Sequence, residues 1–364
     1  MIVFFLPDLR AGGAERVMLN LLIRYHQQHR DEALALLLFK KEGPLLEEIP
    51  DTIPVFELNT KGATKSVVSF IRFCRKRQPK IVFGSLGASL TTSLAKPFLP
   101  KKTVIINRIG NTIGAEKLLF NNALKRSLYI WANKIIAKKS DHVIFQCHYM
   151  AEDYTKETGV QPVFSSVIYN PVKIAHIQKL AHQPVDKQYT FVAVGRLNTQ
   201  KDYPTLIKAC ELLKKRDCVF TLAILGQGNL KKELEQLINE CGLEKHVFLL
   251  GHQSNPYPYI LQSSYLVSSS LYEGFSNVII EAFCLGKPVI ATDCPGGNAE
   301  VIRHGHNGWL CPLQNPEALA EALYAGLQQN VQMTAEQIAQ YGAERFSDDI
   351  IFDRYEAIIR RYLS

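Results

Sequence analysis

The sequence has no apolar run of the roughly 18 residues that a bilayer-spanning helix needs. The first residues, MIVFFLPD, also lack a basic n-region, and their apolar run stops at Pro7 and Asp8. Such a start is typical of a buried first strand and not of a signal peptide. We therefore expect a soluble or peripheral protein in the cytoplasm.

Patterns that form disulfides or bind metals are also missing. The eight cysteines are scattered without a C-x-x-C pair, which indicates reduced thiols of a cytosolic protein and not a disulfide framework. His304 and His306 lie between Cys294 and Cys311, but RHGHNG has the composition of a turn and lacks ligand spacing on both sides. The sequence therefore predicts no metal site there.

Acidic residues are nearly absent from residues 61–140, which hold 17 Lys and Arg and one acid, Glu116. The rest of the chain has 25 bases and 33 acids, so the net charge of +8 hides a strongly basic segment. Within it, residues 117–139 mix cations with Tyr129, Trp131 and aliphatic residues. They form either a basic amphipathic helix on anionic lipid or a core helix with a solvated cationic face. Because no nucleic-acid motif accompanies the charge, we predict an anionic membrane surface as a partner of this segment and no nucleic acid.

Short apolar runs alternate with helix-length stretches along the whole chain, from IVFFLP, KIVFG and TVIINR to TFVAVG, VFTLAIL and PVIAT. This pattern predicts an α/β protein with two doubly wound parallel sheets that helices cover on both faces. Ligands of such sheets bind beyond the carboxyl ends of the strands. A polar segment with two prolines separates the two series. We therefore predict domains at residues 1–170 and 189–345, a linker at 171–188 and a terminal helix at 346–364.

The loop after TFVAVG carries two cations. Gly195 ends the strand, and Arg196 and Lys201 follow before a helix that begins near Pro204. Cations at the carboxyl end of a strand are suited to clamp a diphosphate, Arg as a fork and Lys as a point charge. The alternative is a solvated pair on a surface loop.

Two further strand exits are rich in glycine. In LGQGN, Gly226 and Gly228 look like the opening of a dinucleotide fingerprint, but Lys231 stands at the third glycine position, which disfavours NAD. These glycines still allow a nucleotide to approach the backbone. In LRAGGAERV, Gly12 and Gly13 precede a helix and form a second possible anion nest.

The stretch YEGFSNVIIEAF places Glu273 and Glu281 eight positions apart in an apolar run. Carboxylates in such a neighbourhood cost free energy unless something binds them. With Glu273 in a loop and Glu281 on a helix that begins near Asn277 and closes with Gly286 as its C′ residue, both can face one ligand and accept hydrogen bonds from diols. Alternatively, Glu273 caps the helix and Glu281 pairs with a surface lysine. The predicted backbone contacts of this segment with an anion are Gly274, Phe275, Ser276 and Asn277.

Together, VGRLNTQKDYPTLI, LGQGN, GHQSN, EGFSNVIIEAFCLGKPVIATDCPGGNAEVI and the N-terminal GGAERV resemble the retaining glycosyltransferases of family 4. The resemblance covers nearly the whole chain. It implies the GT-B fold, in which two Rossmann-like domains face each other across a cleft and a C-terminal helix packs back towards the first domain. It also implies transfer of a hexose or N-acetylhexosamine from a nucleotide sugar, with UDP as the expected nucleotide.

The resemblance assigns roles to particular residues. Arg196 and Lys201 grip the donor diphosphate, Glu273 contacts the transferred sugar, and these three are the predicted catalytic residues. Glu281 binds the ribose. The other predicted donor contacts are Gly12, Gly13, Gly195, Gly226, Gly228, Gly274, Phe275, Ser276 and Asn277.

One departure from the family concerns the first domain. Some relatives place a histidine there, near the donor sugar, whereas this chain has no histidine between His29 and His142. The comparable loop is VIINRIGNTIGAE. Its residues Asn107, Arg108 and Asn111 are predicted to contact the sugar or the acceptor.

The sequence also contains no D-x-D, the usual carboxylate pair for a divalent metal on a nucleotide sugar. The charge of the leaving diphosphate must then be neutralised by Arg196, Lys201 and a helix N-terminus. We expect a metal-independent enzyme without a cofactor.

The implied acceptor is a glycan or a lipid-linked glycan of surface polysaccharide or lipopolysaccharide synthesis, at the inner face of the cytoplasmic membrane. Two alternatives stay open. One is a nucleotide-sugar 2-epimerase of the same fold, and the other is a non-catalytic module that binds a membrane or nucleic acid.

Overall fold

The computed structural model of the chain describes residues 1–10, 12–328 and 331–363. The chain divides into two compact units. Unit 1 consists of Met1–Asn170 and Ile351–Ser364, and unit 2 consists of Pro171–Ile350. Each unit is built around one parallel sheet with helices on it, as the alternating apolar pattern predicts.

Among the described residues, the sheet of unit 1 has seven parallel strands in the order β3-β2-β1-β4-β5-β6-β7. The central strands are buried along their whole length because both faces of the sheet are covered. The strands are β1 (Ile2–Leu6), β2 (Leu34–Leu38), β3 (Val55–Glu57), β4 (Ile81–Ser85), β5 (Val104–Arg108), β6 (His142–Phe145) and β7 (Ser165–Val167). The helices are α1 (Gly13–Gln28), α2 (Val67–Arg77), α3 (Gly87–Ala95), α4 (Ile113–Glu116), α5 (Ala123–Lys139) and α6 (His148–Thr158).

In the described part of unit 2, six parallel strands follow the order β10-β9-β8-β11-β12-β13. They are β8 (Phe191–Val194), β9 (Leu222–Leu225), β10 (Val247–Gly251), β11 (Tyr265–Ser268), β12 (Val289–Thr292) and β13 (Gly308–Cys311). The helices are α7 (Ile174–Ala181), α8 (Tyr203–Lys215), α9 (Lys231–Glu240), α10 (Tyr257–Gln262), α11 (Asn277–Cys284), α12 (Asn298–Val301), α13 (Pro316–Gln328) and α14 (Ala335–Phe346). Short 3-10 turns occur at Pro44–Glu48, Lys96–Phe98, Lys117–Leu119 and Thr199–Lys201.

The last helix, α15 (Asp348–Leu363), begins in unit 2, and most of it belongs to unit 1. Within unit 1, Tyr355 of α15 packs on Phe83 of β4, with 5.9 Å between the ring centroids. The C-terminal helix therefore contributes to the core of unit 1. It follows α14 with one residue, Ser347, between the two helices.

The predicted linker at residues 171–188 falls within unit 2. It contains α7, which belongs to unit 2 and packs on α10. Ile177 and Ala181 of α7 are buried. Their spacing of four places them on one face of the helix, a short apolar stripe that the polar composition of the segment hides.

The strand order determines where a ligand-binding crevice can form at each sheet. In unit 2 the order reverses between β8 and β11, and in unit 1 between β1 and β4. The chain leaves such neighbouring strands in opposite directions, so that a crevice forms beyond their carboxyl ends. Among the described residues, no helix combines the length and the apolar character that crossing a membrane requires.

Candidate active site

The loops that leave β8 and β11 lie against each other at the reversal point of unit 2. Ser269 Oγ donates a hydrogen bond of 2.7 Å to the carbonyl oxygen of Lys201. Gln200 Nε2 donates to the carbonyl oxygen of Tyr272 at 3.0 Å, and the N–H of Leu271 donates to the carbonyl oxygen of Gln200 at 2.8 Å. These bonds fix the cationic loop relative to the loop that carries the first glutamate.

Lys201 and Glu273 form an ion pair at this point, with 2.5 Å between Nζ and Oε1. Their side chains are 18% and 11% exposed, so the pair is poorly screened by water. Ser270 Oγ donates to the same carboxylate oxygen at 2.8 Å. A Cβ at Gly195 would lie 2.7 Å from Cε of Lys201, so a side chain there would displace the lysine.

A chain of buried hydrogen bonds supports Glu273 from β12 and the loop after it. Thr292 Oγ1 donates to the carbonyl oxygen of Ser270 at 2.7 Å, and Asn298 Nδ2 donates to the carbonyl oxygen of Thr292 at 3.0 Å. The N–H of Glu273 donates to the carbonyl oxygen of Pro295 at 3.0 Å. Sequence reasoning did not single out these supporting residues, because a serine or threonine near a strand end has no signal of its own.

Glu281 lies on α11, which begins at Asn277 as predicted and has Ser276 as its N-cap. The side chain is half-buried. Burial raises the pKa of Glu281 to about 7, against a smaller opposite effect of a hydrogen bond with Tyr257. A carboxyl group with such a pKa changes charge near neutral pH, and its burial does not fit an exposed pair with a surface lysine.

The other predicted contacts in this segment lie around the N-terminus of α11. Phe275 is buried and its ring packs on Phe346, with 5.9 Å between centroids. Gly274 lies beside Gly296, whose φ is +141° and where a Cβ would be 2.2 Å from the carbonyl oxygen of Glu273. That the backbone at residues 274–277 binds an anion stays a prediction.

Gly226 and Gly228 have a structural role that the sequence did not reveal. Gly226 has a φ of +152°, and a Cβ there would lie 1.8 Å from the carbonyl oxygen of Gly195. A Cβ at Gly228 would lie 2.2 Å from the carbonyl oxygen of Leu197. The exit of β9 therefore touches the backbone of the exit of β8, next to the exposed Arg196.

In unit 1, Gly12 and Gly13 form the N-terminus of α1, as predicted. A Cβ at Gly12 would lie 2.2 Å from Oε2 of Glu15, so the Glu15 carboxylate folds back over the first turn. Glu15 thus stands three residues after the N-cap Gly12, which is the position of the acid in a capping box. A role for the two glycines in donor binding stays a prediction.

Asn107 and Arg108 are fully buried, and their contact with sugar or acceptor stays a prediction. Asn107 donates through Nδ2 to the hydroxyls of Ser93 at 3.0 Å and Ser140 at 2.9 Å, and its Oδ1 accepts from Thr92. Residues of β5 face covered sides of the sheet in both directions, so the burial of both side chains follows from their place in a central strand.

The guanidinium of Arg108 serves unit 1 internally. Nη2 donates to Asn170 Oδ1 at 2.6 Å, and Nε donates to the hydroxyl of Tyr355 at 3.1 Å. Arg108 thus joins the last residue of the first chain segment of unit 1 to helix α15. Asn111 is half-buried and donates to Glu116 Oε1 at 3.2 Å, and its contact with sugar or acceptor stays a prediction.

Two Rossmann-like units, each built around one parallel sheet, are the architecture of the GT-B fold. Residues 11–176 match the model of Glycosyltransferase Family 4, and residues 176–345 match that of the glycosyl transferases group 1. The chain is therefore a glycosyltransferase of the family 4 type.

Individual proteins agree with this assignment. An N-acetylgalactosamine-N,N'-diacetylbacillosaminyl-diphospho-undecaprenol 4-alpha-N-acetylgalactosaminyltransferase of Campylobacter jejuni is 28% identical over 332 residues, which cover 88% of each chain. An uncharacterized glycosyltransferase of Methanocaldococcus jannaschii is 33% identical over 217 residues, 55% of this chain and 53% of that protein. The chain thus matches only about half the length of the archaeal relative.

The fold itself is similar to that of HepE from Anabaena, whose crystal structure contains UDP. The two structures superpose with a TM-score of 0.80 over 99% of each chain, at 21% sequence identity. Similarity at this level of identity supports the fold.

Proposed function

We propose that the protein is a retaining, metal-independent glycosyltransferase that moves a hexose or N-acetylhexosamine from a UDP-sugar to a glycan or lipid-linked acceptor. The observation that carries the proposal is the Lys201–Glu273 pair at the strand reversal of unit 2. A cation for the diphosphate and an acid for the sugar hydroxyls stand side by side there. Both are held by loops that bond to each other.

A bound donor would separate Lys201 from Glu273, because each residue would contact a different group of the donor. The diphosphate oxygens attract Lys201, while the hydroxyls of the sugar donate hydrogen bonds to Glu273. The exposed Arg196 adds a forked donor, and the N-terminus of α11 adds partial positive charge. At the ribose, Glu281 would accept hydrogen bonds from the diol once its carboxyl group is ionised.

In the proposed reaction, the bond between the anomeric carbon and the oxygen of the β-phosphate breaks, and UDP leaves with the electron pair. The acceptor oxygen forms the new bond on the same face of the sugar. Its proton passes to an oxygen of the β-phosphate. Arg196 and Lys201 stabilise the negative charge that develops on UDP in the transition state.

The relatives support the choice of substrates. The Campylobacter protein is named for transfer to a diphospho-undecaprenol-linked glycan, and the HepE structure contains UDP. We therefore propose a UDP-sugar donor and a glycan acceptor of surface polysaccharide or lipopolysaccharide synthesis. The enzyme would act at the inner face of the cytoplasmic membrane.

A panel of nucleotide sugars in a thermal-shift assay tests the donor assignment. A ligand at about 100 times its Kd adds roughly 2.7 kcal/mol to the free energy of unfolding. We expect one UDP-sugar to raise the Tm most. NMR of the transferred sugar then distinguishes retention from inversion, and release of a free epimerised sugar without acceptor would indicate a 2-epimerase instead. Absence of any shift with every nucleotide sugar would favour a non-catalytic module.

Metal independence is tested by turnover in EDTA. We expect unchanged transfer, because Arg196, Lys201 and the helix N-terminus provide the positive charge that a metal ion would otherwise supply. Complete loss of transfer on chelation, with recovery on adding magnesium, would contradict the proposal.

A further inference from the structure

Helix α5 of unit 1 carries an apolar stripe on its outside. Leu124, Leu128 and Trp131 are 67%, 54% and 54% exposed. At about 100° per residue, these three side chains lie within roughly 60° of one another around the helix axis. Asn133 and Ala137 are buried on the opposite side. The helix thus exposes these three apolar residues, while Ile136 and Ala137 face the core.

The buried side of α5 is fixed by hydrogen bonds, so this orientation is specific. The hydroxyl of Tyr154 donates to the carbonyl oxygen of Asn133 at 2.6 Å. Tyr129 bonds to Glu116, and Asn122 caps the helix by accepting from the N–H of Leu124. The outer face of α5 therefore carries leucines and a tryptophan as well as cations, which a core helix with a purely cationic solvated face would not expose.

Lysines surround the stripe. Lys125 and Lys139 lie on one side of it, and Lys134 and Lys138 lie on the other, by the same angular spacing. All four are exposed, and in the part of the chain that the structure describes none of them forms an ion pair with a carboxylate. Two more exposed leucines, Leu118 and Leu119, precede the helix in the chain.

This combination fits an anionic bilayer better than a protein. Protein interfaces are depleted in lysine, whereas tryptophan and leucine bordered by lysine are typical of helices that lie in the headgroup region. The surrounding segment of residues 61–140, with 17 bases and one acid, provides long-range attraction to negative lipid headgroups.

We propose that Leu124, Leu128 and Trp131, with the four lysines around them, form a docking surface for an anionic lipid bilayer. The apolar side chains enter the interface between headgroups and acyl chains, and the lysines contact lipid phosphates. The biological purpose of this surface rests on the proposed function, because a lipid-linked acceptor would be presented at such a bilayer. Binding of this surface to the bilayer does not require catalytic turnover.

Flotation of the full chain with vesicles tests the apolar part. We expect binding to vesicles of phosphatidylcholine with phosphatidylglycerol, weak binding to pure phosphatidylcholine, and release as the salt concentration rises. The double variant Leu128→Ser with Trp131→Ser should reduce the bound fraction about tenfold. Val219→Ser is the matched control, because Val219 is 93% exposed but lies in unit 2.

The lysines are tested with two double variants of equal net charge. Lys134→Glu with Lys138→Glu should lower vesicle binding by about tenfold or more, since each lysine near a negative surface contributes strongly. Lys231→Glu with Lys232→Glu changes exposed lysines of α9 and should leave binding largely unchanged. Thermal unfolding curves check that each variant is folded at the temperature of the vesicle assay.

Equal binding to neutral and anionic vesicles, or stripe variants that bind like the wild type, would overturn the inference. The inference would also be overturned if analytical ultracentrifugation showed a dimer that the stripe variants abolish and vesicle binding were absent. The stripe would then join two copies of the chain. Vesicle binding is measured without a sugar donor, so a failure of the proposed transferase activity leaves its result interpretable.

Discussion

At the scale of single residues, the central feature is that Lys201 and Glu273 neutralise each other before a donor arrives. The sequence placed each of them in the loop after a strand but could not show that they touch. A donor therefore exchanges an existing ion pair for two new interactions. This exchange lets the contributions of the two residues be separated experimentally.

We predict opposite effects of Lys201→Ala and Glu273→Gln on the binding of UDP alone. Lys201→Ala should weaken UDP binding and lower transfer by about 10²-fold or more, because a donor to the leaving group is lost. Glu273→Gln should lower transfer similarly but bind UDP at least as tightly as the wild type, since Lys201 is released for the phosphates. Calorimetric titration with UDP measures this difference, with the exposed Glu233→Gln as control.

If Glu273→Gln weakened UDP binding as much as Lys201→Ala does, the two residues would act only as one structural unit. The division of roles between diphosphate and sugar would then be contradicted.

Glu281 gives a prediction about pH. Burial raises its pKa from 4.5 to about 7, so the folded protein holds this proton in a pH range where the unfolded chain has released it. The stabilising contribution is complete below about pH 4.5 and is lost as the pH rises through about 7. Glu281→Gln should flatten the dependence of the free energy of unfolding on pH in this range, as denaturant titrations at several pH values would show.

Ionisation of Glu281 should also change the affinity for the donor. Because the ionised carboxylate accepts hydrogen bonds from the ribose diol, a UDP-sugar should bind more tightly as the pH rises through about 7. A dissociation constant that is independent of pH between 6 and 8 would exclude Glu281 as the group that contacts the ribose.

At the scale of elements, the exits of the strands are packed closely enough to require glycine. Gly226→Ala would place a Cβ 1.8 Å from the carbonyl oxygen of Gly195, at a φ of +152°. We expect it to destabilise unit 2 by several kcal/mol or to prevent folding. Gly251→Ala is the matched control, because Gly251 also has a positive φ, +72°, but a Cβ there meets nothing within 4 Å.

Gly251→Ala should therefore cost only about 1 kcal/mol, the usual penalty of a left-handed conformation. Thermal and denaturant unfolding measure both variants. Equal costs would show that backbone conformation, and not the contact between the strand exits, explains Gly226.

Elements also show where sequence reasoning succeeds and fails. Local signals were sufficient for α11, which begins at Asn277, and for Gly286 after its end, with a φ of +71°. They were insufficient for α7, whose two buried residues lie in a polar segment. They also did not reveal that Asn107 and Arg108 are buried, because the end of a strand can be covered by other parts of the chain. One such part is α15, more than 240 positions away, as the bond from Arg108 to Tyr355 shows.

At the scale of the whole molecule, two parallel sheets follow from the alternation of apolar runs, since only helices on both faces make such strands uniformly apolar. The strand order does not follow from that pattern. It determines which exits are neighbours, and it brings the loop of Lys201 to that of Glu273. The motif resemblance predicted that both residues contact the same donor, while the supporting bonds of Ser270 and Thr292 required coordinates.

A crystal structure of the protein with a bound UDP-sugar tests the central claim most directly. We expect Lys201 Nζ within hydrogen-bond distance of a diphosphate oxygen and a sugar hydroxyl at the carboxylate of Glu273, with their ion pair opened. A donor bound elsewhere, while Lys201 and Glu273 still contact each other, would contradict the account.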